Sequence, residues 1–341
     1  MKAYMRLGAA ALLSAVAVTA CGCNKPAARP TGGNVSSIVI NSSNGAANSV
    51  GGSSSTGSDA SEPKDTTITA DKTVSSSETL KIKKGETLYI NSGAELTVEG
   101  KIDCAEGGSI KIQSGGALLL GGKLTLDGDM ELGGKLGIRE SGEIAGGGEL
   151  TVVNSFDDID CEGTCTAKIK APKPVEKDGL TTVGGVLIVN KQYTVPEDYG
   201  DGLVIDEAYD KLLEMREDTG FTLTLCSGFR SYDTQKELFE YYCSIDEYEK
   251  VVMYSAEPGH SEHQTGLAMD LGEVTEYYAE TEEGAWLTEN CYKYGFIIRY
   301  PRDGTDKTGY DYEPWHVRYL GKSTAKLVVD SGLTLEEFLG L

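Results

Sequence analysis

The segment Ser261–Asp270, which reads SEHQTGLAMD, carries the most informative pattern in the chain. It contains His263 and, seven residues later, Asp270, and the only histidine that follows it is His316. A catalytic zinc ion takes three protein ligands from imidazole and carboxylate groups and leaves a fourth position for water. The spacing suits a histidine on a loop and an aspartate on the next strand, with Gly266 easing the bend. His263, Asp270 and His316 are therefore candidate zinc ligands, although a lone histidine is more often structural.

The sequence around this segment mixes helical and strand spacing. Apolar residues recur at helical spacing over residues 205–215 and stop before Gly220, which suits a helix C-cap. Residues 221–225 alternate as a strand. The other predicted elements are strands at 266–271, 296–300 and 315–320 and helices at 233–242 and 286–294. Because strands and helices do not alternate regularly along the chain as they do in βαβ units, the pattern indicates an α+β fold with an antiparallel sheet and helices.

Two more motifs flank the segment in a fixed order. Ser227-Gly-Phe-Arg-Ser231, with Gln235 just downstream, precedes it, and Glu313-Pro-Trp-His316 follows it. With these three motifs, residues 180–321 resemble the zinc D-alanyl-D-alanine carboxypeptidases of the vancomycin-resistance type. That family shares its fold with the D-alanyl-D-alanine dipeptidases and some phage endolysins. The resemblance implies a zinc D,D-carboxypeptidase domain over residues 180–341.

The resemblance also implies a role for each motif residue. The implied ligands of Zn²⁺ are His263, Asp270 and His316. The implied catalytic residues are Glu313, as general base, and Arg230, which stabilises charge on the substrate. The implied substrate contacts are Gln235, Ser261 and Trp315. His260 lies in the motif but not at a ligand position. The implied reaction is hydrolysis of the terminal D-alanine of peptidoglycan stem peptides by metal-activated water.

Two alternatives to this activity stay open at the level of the sequence. One is a different peptidase of the same fold, either an L,D-carboxypeptidase that acts on tetrapeptides or an endopeptidase of the cell wall. The other is a non-catalytic wall-binding lipoprotein in which an amino-terminal domain provides the function. The presence of Glu313 and of all three candidate ligands argues against the second alternative.

Residues 65–157 follow a different pattern, in which pairs of aliphatic residues two positions apart are punctuated by glycine. Such pairs place both side chains on one face of a strand. They recur 22 residues apart, as from Leu80 to Ile102 and from Leu88 to Ile110. This repeat predicts an all-β, solenoid-like, glycine-rich domain with three short strands per coil. A series of β-hairpins is the competing interpretation, since paired glycines also form tight turns.

The predicted solenoid contains no catalytic constellation. Its acidic and basic residues alternate on the outward face, as they do on a solvated surface. We therefore expect it to act as a spacer or to contact the cell wall. Residues 158–179, which include Pro172 and Pro174, are predicted to be a connector to the peptidase domain.

The amino terminus resembles a lipoprotein signal peptide over residues 1–20. Lys2 and Arg6 precede a twelve-residue apolar run that is too short to span a bilayer, and Cys21 follows small residues as in a bacterial lipobox. We expect a lipid on Cys21 to anchor the protein to the bacterial cell membrane outside the cytoplasm; an ordinary signal peptide is the alternative. Residues 21–64, rich in Ser, Gly and Asn, are predicted to be a disordered linker.

Composition excludes one class of partner and gives the cysteines a context. The 341 residues contain 31 Lys and Arg against 53 Asp and Glu, a net charge of −22, which repels phosphate backbones. A nucleic-acid partner is therefore not expected. Disulfides are permitted outside the cytoplasm, and among the seven cysteines other than the lipidation candidate Cys21 the nearest local pair is Cys161 with Cys165. We expect a disulfide between these two residues.

Overall fold

The structure is a computed structural model that describes residues 64–341. The predicted signal peptide, Cys21 and all of the predicted linker except Lys64 lie outside the described residues. Among residues 64–341, no helix combines the length and the apolar character that crossing a bilayer requires.

The first part of the described chain is a solenoid of short strands arranged in three parallel sheets. The strands are β1 (Thr66–Ile68), β2 (Lys72–Val74), β3 (Thr79–Ile82), β4 (Thr87–Ile90), β5 (Glu95–Val98), β6 (Lys101–Cys104), β7 (Ser109–Ile112), β8 (Ala117–Leu120), β9 (Lys123–Leu126), β10 (Asp129–Leu132), β11 (Lys135–Ile138), β12 (Glu143–Ala145), β13 (Glu149–Val152), β14 (Ile159–Cys161), β15 (Thr164–Cys165) and β16 (Lys168–Lys170). The sheet orders are β1-β4-β7-β10-β13-β16, β2-β5-β8-β11-β14 and β3-β6-β9-β12-β15. Each coil thus adds one strand to each sheet. This confirms the solenoid and excludes the hairpin interpretation.

The aliphatic repeat sets the register between coils. Leu88 pairs with Ile110, 22 residues later, and farther along Met130 pairs with Leu150, 20 residues later. The repeat shortens from 22 to 20 residues because some of the four-residue turns between strands are replaced by two-residue turns that contain glycine. At one such turn, a Cβ on Gly122 would lie 2.0 Å from a backbone oxygen of the preceding coil. The inward side chains are almost fully buried and form a continuous core, and each contributes about 1.5–3 kcal/mol to stability.

The solenoid continues past residue 157, into residues that the sequence pattern predicts to be a connector. β14, β15 and β16 extend the three sheets by one coil, each in parallel register. The aliphatic pattern does not reveal this coil because Cys161 and Cys165 occupy two of its inward positions. Both cysteines are buried and free, so the expected disulfide between them is wrong. Their thiols lie on different strands, stacked on the core of the coil before.

The rest of the chain is an α+β domain, as the sequence predicts. It begins with an antiparallel sheet of β17 (Val175–Lys177), β18 (Leu180–Val183) and β19 (Val186–Ile188). Its helices are α1 (Asp206–Thr219), α2 (Tyr232–Ile245), α3 (Tyr248–Tyr254), α4 (Glu282–Asn290), α5 (Thr305–Thr308), α6 (Lys322–Ser331) and α7 (Leu335–Leu339). Its main sheet contains β20 (Leu225–Ser227), β21 (Ala268–Leu271), β22 (Phe296–Tyr300) and β23 (Glu313–Tyr319), in the antiparallel order β20-β21-β23-β22.

One predicted helix is confirmed and one predicted strand is shorter than expected. Helix α1 covers the predicted segment and ends at Gly220, whose φ of +70° is the left-handed conformation of a helix C-cap. The strand predicted from residue 221 begins only at Leu225. Leu223 has a φ of +39°, which interrupts the extended chain, and Arg216 donates a 2.8 Å hydrogen bond to its carbonyl oxygen.

The two C-terminal helices cover the end of the solenoid. Strands β14 and β15 are the last in their sheets, so their outer backbone groups have no further coil to pair with. Side chains of α6 accept hydrogen bonds from them: Cys161 N donates to Ser323 Oγ at 2.9 Å and Cys165 N donates to Asp330 Oδ2 at 3.3 Å. On α7, the ring of Phe338 packs against Phe156 at 5.2 Å between centroids. The C-terminal domain thus caps the solenoid.

We expect Phe338→Ala to destabilise the solenoid as well as the C-terminal domain. Phe338 is 2% exposed, and removing a buried Phe side chain costs about 3–5 kcal/mol. Urea unfolding followed by circular dichroism measures the change. Val329→Ala on α6 is the control, since Val329 is 45% exposed and should change stability by less than about 0.5 kcal/mol. A Phe338→Ala protein as stable as the wild type would contradict the capping role.

Candidate metal centre and active site

Neighbouring strands of the main sheet bring the candidate ligands together. Asp270 on β21 and His316 on β23 are directly paired in the antiparallel register. His263 lies on a 3-10 turn, Glu262–Thr265, that leads into β21 and ends at Gly266. Gly266 has a φ of +70°, which favours glycine and turns the chain toward the strand. Asp270 and His316 are thus side by side in the sheet although they are 46 residues apart in the sequence.

The three candidate ligands form one buried cluster. A ligand atom from each of His263, Asp270 and His316 lies within 4.8 Å of the other two, and all three residues are buried. His263 Nε2 is 3.3 Å from Asp270 Oδ2, and His316 Nδ1 is 3.4 Å from Asp270 Oδ1. Among residues 64–341 no other group of His, Cys, Asp and Glu has this arrangement.

The hydrogen bond of His263 shows which of its nitrogens is available to a metal ion. Its Nδ1 lies 2.8 Å from the carbonyl oxygen of Gly228, an acceptor, so Nδ1 carries the proton. The lone pair of Nε2 then points at the cluster. Such a hydrogen bond from the far side of the ring is the usual support of a metal-binding histidine.

The cluster has the chemistry of a divalent cation site. Asp270 Oδ1 is buried and has no hydrogen-bond partner, which is costly unless a cation satisfies it. Burial alone would raise the pKa of Asp270, but the neighbouring imidazoles and Arg230 lower it to about 2, so the carboxylate stays ionised. Two imidazole nitrogens and one carboxylate are the ligand set that suits catalytic zinc. The residues present therefore fit the metal ion that the sequence predicts.

Glu313 lies at the edge of the cluster, at the start of β23. Its Oε2 is 3.3 Å from His316 Nδ1, the nitrogen that faces Asp270. The side chain is buried, and burial raises the pKa of Glu313 above its ordinary value. A carboxylate with a raised pKa beside a cation site has the basicity that a general base requires. The position predicted for the catalytic base thus borders the metal cluster.

Arg230 approaches the cluster from the loop after β20. Its Nη2 is 3.7 Å from Asp270 Oδ2 and donates to Ser227 Oγ at 2.9 Å, while Nη1 donates to Gln235 Oε1 at 2.7 Å. Gln235 is fully buried on α2, and its Nε2 donates to the Ala256 carbonyl oxygen at 2.6 Å. In this structure Gln235 therefore holds Arg230 in place. The substrate contact of Gln235 stays a prediction.

Three other motif residues lie around the cluster without joining it. Ser261 is buried, and its side chain makes no capping hydrogen bond to the turn that follows. Trp315 is partly buried against the apolar core of the domain. The ring of His260 turns away, with Nδ1 2.7 Å from the carbonyl oxygen of Asn190. His260 is thus outside the ligand set, as expected, and the substrate contacts of Ser261 and Trp315 stay predictions.

Sequence reasoning missed the charged residues behind the cluster. Glu262, Arg299 and Arg318 are each about 1% exposed, and both arginines donate to Glu262 Oε1. Arg299 lies on β22 and Arg318 on the neighbouring strand β23, where its register partner is Ile297. Charged residues in otherwise apolar strands are the one signal that points to such a buried group. Their acidic partner sits inside the motif itself, next to His263.

Comparison with known proteins places the domain among peptidases. The family model described as VanY, D-alanyl-D-alanine carboxypeptidase, matches residues 204–322. The chain is 42% identical over 192 residues to the putative carboxypeptidase YodJ of Bacillus subtilis (strain 168), covering 47% of this chain and 70% of that protein.

Two solved structures are also similar. The L,D-carboxypeptidase DacB from Streptococcus pneumoniae is 37% identical, with a TM-score of 0.45, over 50% of this chain and 97% of that chain. A variant of the vancomycin-resistance D,D-pentapeptidase VanY, solved in complex with Zn(II), is 32% identical, with a TM-score of 0.39, over 45% of this chain and 97% of that chain. From the motifs, the fold and the relationship to YodJ, we conclude that the chain belongs, through its C-terminal domain, to the VanY family of D-alanyl-D-alanine carboxypeptidases.

Proposed function

We propose that this protein is a zinc-dependent carboxypeptidase that removes the terminal D-alanine from peptidoglycan stem peptides ending in D-alanyl-D-alanine. The observation that carries the proposal is the convergence of five side chains in one cluster. Three are the candidate ligands, and the others are Glu313, 3.3 Å from His316, and Arg230, 3.7 Å from Asp270. Membership of the VanY family supports the substrate class.

The metal ion would be held by His263 through Nε2, Asp270 through its carboxylate and His316 through Nδ1. Bound zinc supplies Lewis acidity, which lowers the pKa of a water molecule toward neutrality and polarises a carbonyl group. All three ligand side chains are buried, and the ring of His263 is also held by its hydrogen bond to the Gly228 carbonyl oxygen. The site is therefore organised before substrate arrives.

Glu313 is the proton carrier in this mechanism. Its carboxylate accepts the proton of the water that attacks the carbonyl of the penultimate residue. It then returns that proton to the amine of the departing D-alanine. The raised pKa of Glu313 favours the first transfer, because a less acidic carboxyl group is a stronger base.

Arg230 stabilises the charge that develops on the carbonyl oxygen. Its side chain is 17% exposed, so a peptide can reach the guanidinium, while Ser227 and Gln235 hold it in one orientation. A fixed positive charge interacts more strongly with a tetrahedral oxyanion than with the neutral amide of the substrate. This difference lowers the barrier to reaction.

We further propose that the enzyme works outside the cytoplasm, anchored to the bacterial membrane by a lipid on Cys21. The support for this is the signal-like pattern of residues 1–20 and the predicted linker that follows. Tethering would raise the concentration of enzyme near nascent wall. Cell fractionation tests the anchor: the full chain should sediment with membranes and Cys21→Ala should not. Contact of the solenoid with the wall stays a prediction.

The activity is tested by measuring free D-alanine released from a muramyl pentapeptide by the purified protein. We expect release to stop on treatment with a chelator and to return when Zn²⁺ is restored, because the metal ion would lower the pKa of the attacking water and polarise the carbonyl group. A pentapeptide ending in L-alanine is the matched control and should not be cleaved.

A parallel reaction on the tetrapeptide separates the proposal from its alternative. Release of D-alanine from the tetrapeptide alone would make the protein an L,D-carboxypeptidase and overturn the D,D assignment. No release from either peptide after zinc is restored would overturn the peptidase function itself.

A further inference from the structure

Glu262 is a fully buried acid that the mechanism above does not use. It lies beside His263 in sequence but points to the opposite side of the cluster, toward the ring of His316. Arg299 Nε donates to its Oε1 at 2.8 Å and Arg318 Nη1 donates to the same oxygen at 2.7 Å. Both arginines therefore bind one carboxylate oxygen and leave the other free.

The free oxygen faces a nitrogen that also lacks a partner. Glu262 Oε2 is 3.7 Å from His316 Nε2, and neither atom has a hydrogen bond, although both are buried. An unpaired buried polar atom costs about 1–3 kcal/mol. Two such atoms that face each other form a hydrogen bond if the ring or the carboxylate moves by less than 1 Å, about the difference from an ordinary N–H···O distance.

The contacts of the other ring nitrogen of His316 indicate the role of a hydrogen bond between Nε2 and Glu262. His316 Nδ1 faces Asp270 Oδ1 at 3.4 Å and Glu313 Oε2 at 3.3 Å, so Nδ1 is the nitrogen on the metal side. A neutral imidazole that offers its Nδ1 lone pair to a metal ion carries its proton on Nε2. That proton needs an acceptor, and Glu262 Oε2 is the buried oxygen in front of it.

We propose that Glu262 is a positioning residue of the metal centre: it accepts the Nε2–H of His316 and so fixes the tautomer and orientation of that ligand. The proposal rests on the proposed zinc site. Acceptors on the far side of a metal-binding histidine typically raise metal affinity about 10- to 100-fold.

The surrounding charges keep Glu262 available for this role. Arg299 forms a second ion pair with Glu336 of α7, and Arg318 Nη2 donates to the Leu187 carbonyl oxygen at 2.6 Å. Two guanidinium groups thus face two carboxylates, so the buried group is neutral overall and Glu262 can remain an anion.

The experiment compares Glu262→Gln with Glu336→Gln, which removes one carboxylate from the same buried group without facing His316. Zinc affinity is measured by competition with a chromophoric chelator, and ligand geometry by the visible spectrum of the Co²⁺-substituted protein. In Glu262→Gln the arginines require the carboxamide oxygen, which turns the NH₂ group toward Nε2. We expect zinc affinity about 10- to 100-fold weaker and an altered Co²⁺ spectrum. Glu336→Gln should keep both wild-type properties.

Near-UV circular dichroism confirms that each variant is folded. If Glu262→Gln does not fold, Glu262→Asp retains the charge beside the arginines but shortens the reach to Nε2, and it should weaken zinc binding in the same direction. Wild-type affinity in the folded Glu262 variant, or an equal loss in Glu336→Gln, would overturn the positioning role alone. Failure of the wild type to bind zinc would overturn the proposed function and this inference with it.

Discussion

Glu313→Gln is expected to lower kcat for D-alanine release by about 10²–10⁴-fold, the usual contribution of a general acid and base. The carboxamide keeps the size of the side chain but cannot accept the proton of the attacking water. The loss corresponds to about 3–5 kcal/mol in the barrier. The three ligand side chains are unchanged, so zinc binding should persist. Kinetics on the pentapeptide and the zinc content of the same preparation measure both quantities.

Asp311→Asn is the matched control for this variant. Asp311 lies two residues before Glu313 and is exposed, so its charge is solvated and it should retain wild-type kcat. Activity of Glu313→Gln close to that of the wild type would show that another group moves the proton. Loss of zinc together with activity would show that Glu313 acts on the metal site instead.

Asp270→Asn is expected to weaken zinc binding by more than about 100-fold. Removing a residue that only hydrogen-bonds to a metal ligand already lowers metal affinity by about 10- to 100-fold, and Asp270 is itself a candidate ligand. Asp270 contacts both histidines, at 3.3 Å from His263 Nε2 and 3.4 Å from His316 Nδ1. An asparagine removes the negative charge and turns an NH₂ group toward one of these lone pairs. Activity should fall below detection at zinc concentrations that saturate the wild type. Chelator competition measures the change in affinity.

Glu273→Gln is the control for Asp270→Asn. Glu273 follows three residues later and is exposed, so it tests whether lost negative charge near β21 matters by itself. Zinc binding by Asp270→Asn at wild-type affinity would contradict the ligand assignment. Equal weakening in both variants would attribute the effect to long-range charge.

The solenoid could be predicted from the sequence except for its last coil. The solenoid follows from a repeat in which Leu88 and Ile110 pair as the 22-residue spacing requires, because every coil uses the same local geometry. The last coil escaped notice because Cys161 and Cys165 replace aliphatic side chains at its inward positions. The expected disulfide was wrong for the same reason, since both thiols serve as core residues.

Some contacts in the site also could not be predicted from the spacing of residues along the sequence. Gln235 matched a substrate-contacting position, but the structure buries it completely and pairs it with Arg230. Glu262 matched no expected role, and its partners Arg299 and Arg318 come from strands that start more than thirty residues away. Whether a charged residue forms an ion pair depends on which strands become neighbours in the sheet. The spacing of residues within one segment does not reveal which strands those are.

By itself, the sequence determined the repeat of the solenoid, the α+β class of the peptidase domain and the set of candidate zinc ligands. These properties depend on local periodicity and on residue chemistry, which can be read along the chain. Only the tertiary structure decided that helices α6 and α7 cap the last coil and that Glu262 faces His316. Both depend on buried polar groups that must find partners from distant segments, and the order of strands β21, β22 and β23 determines which partners those are.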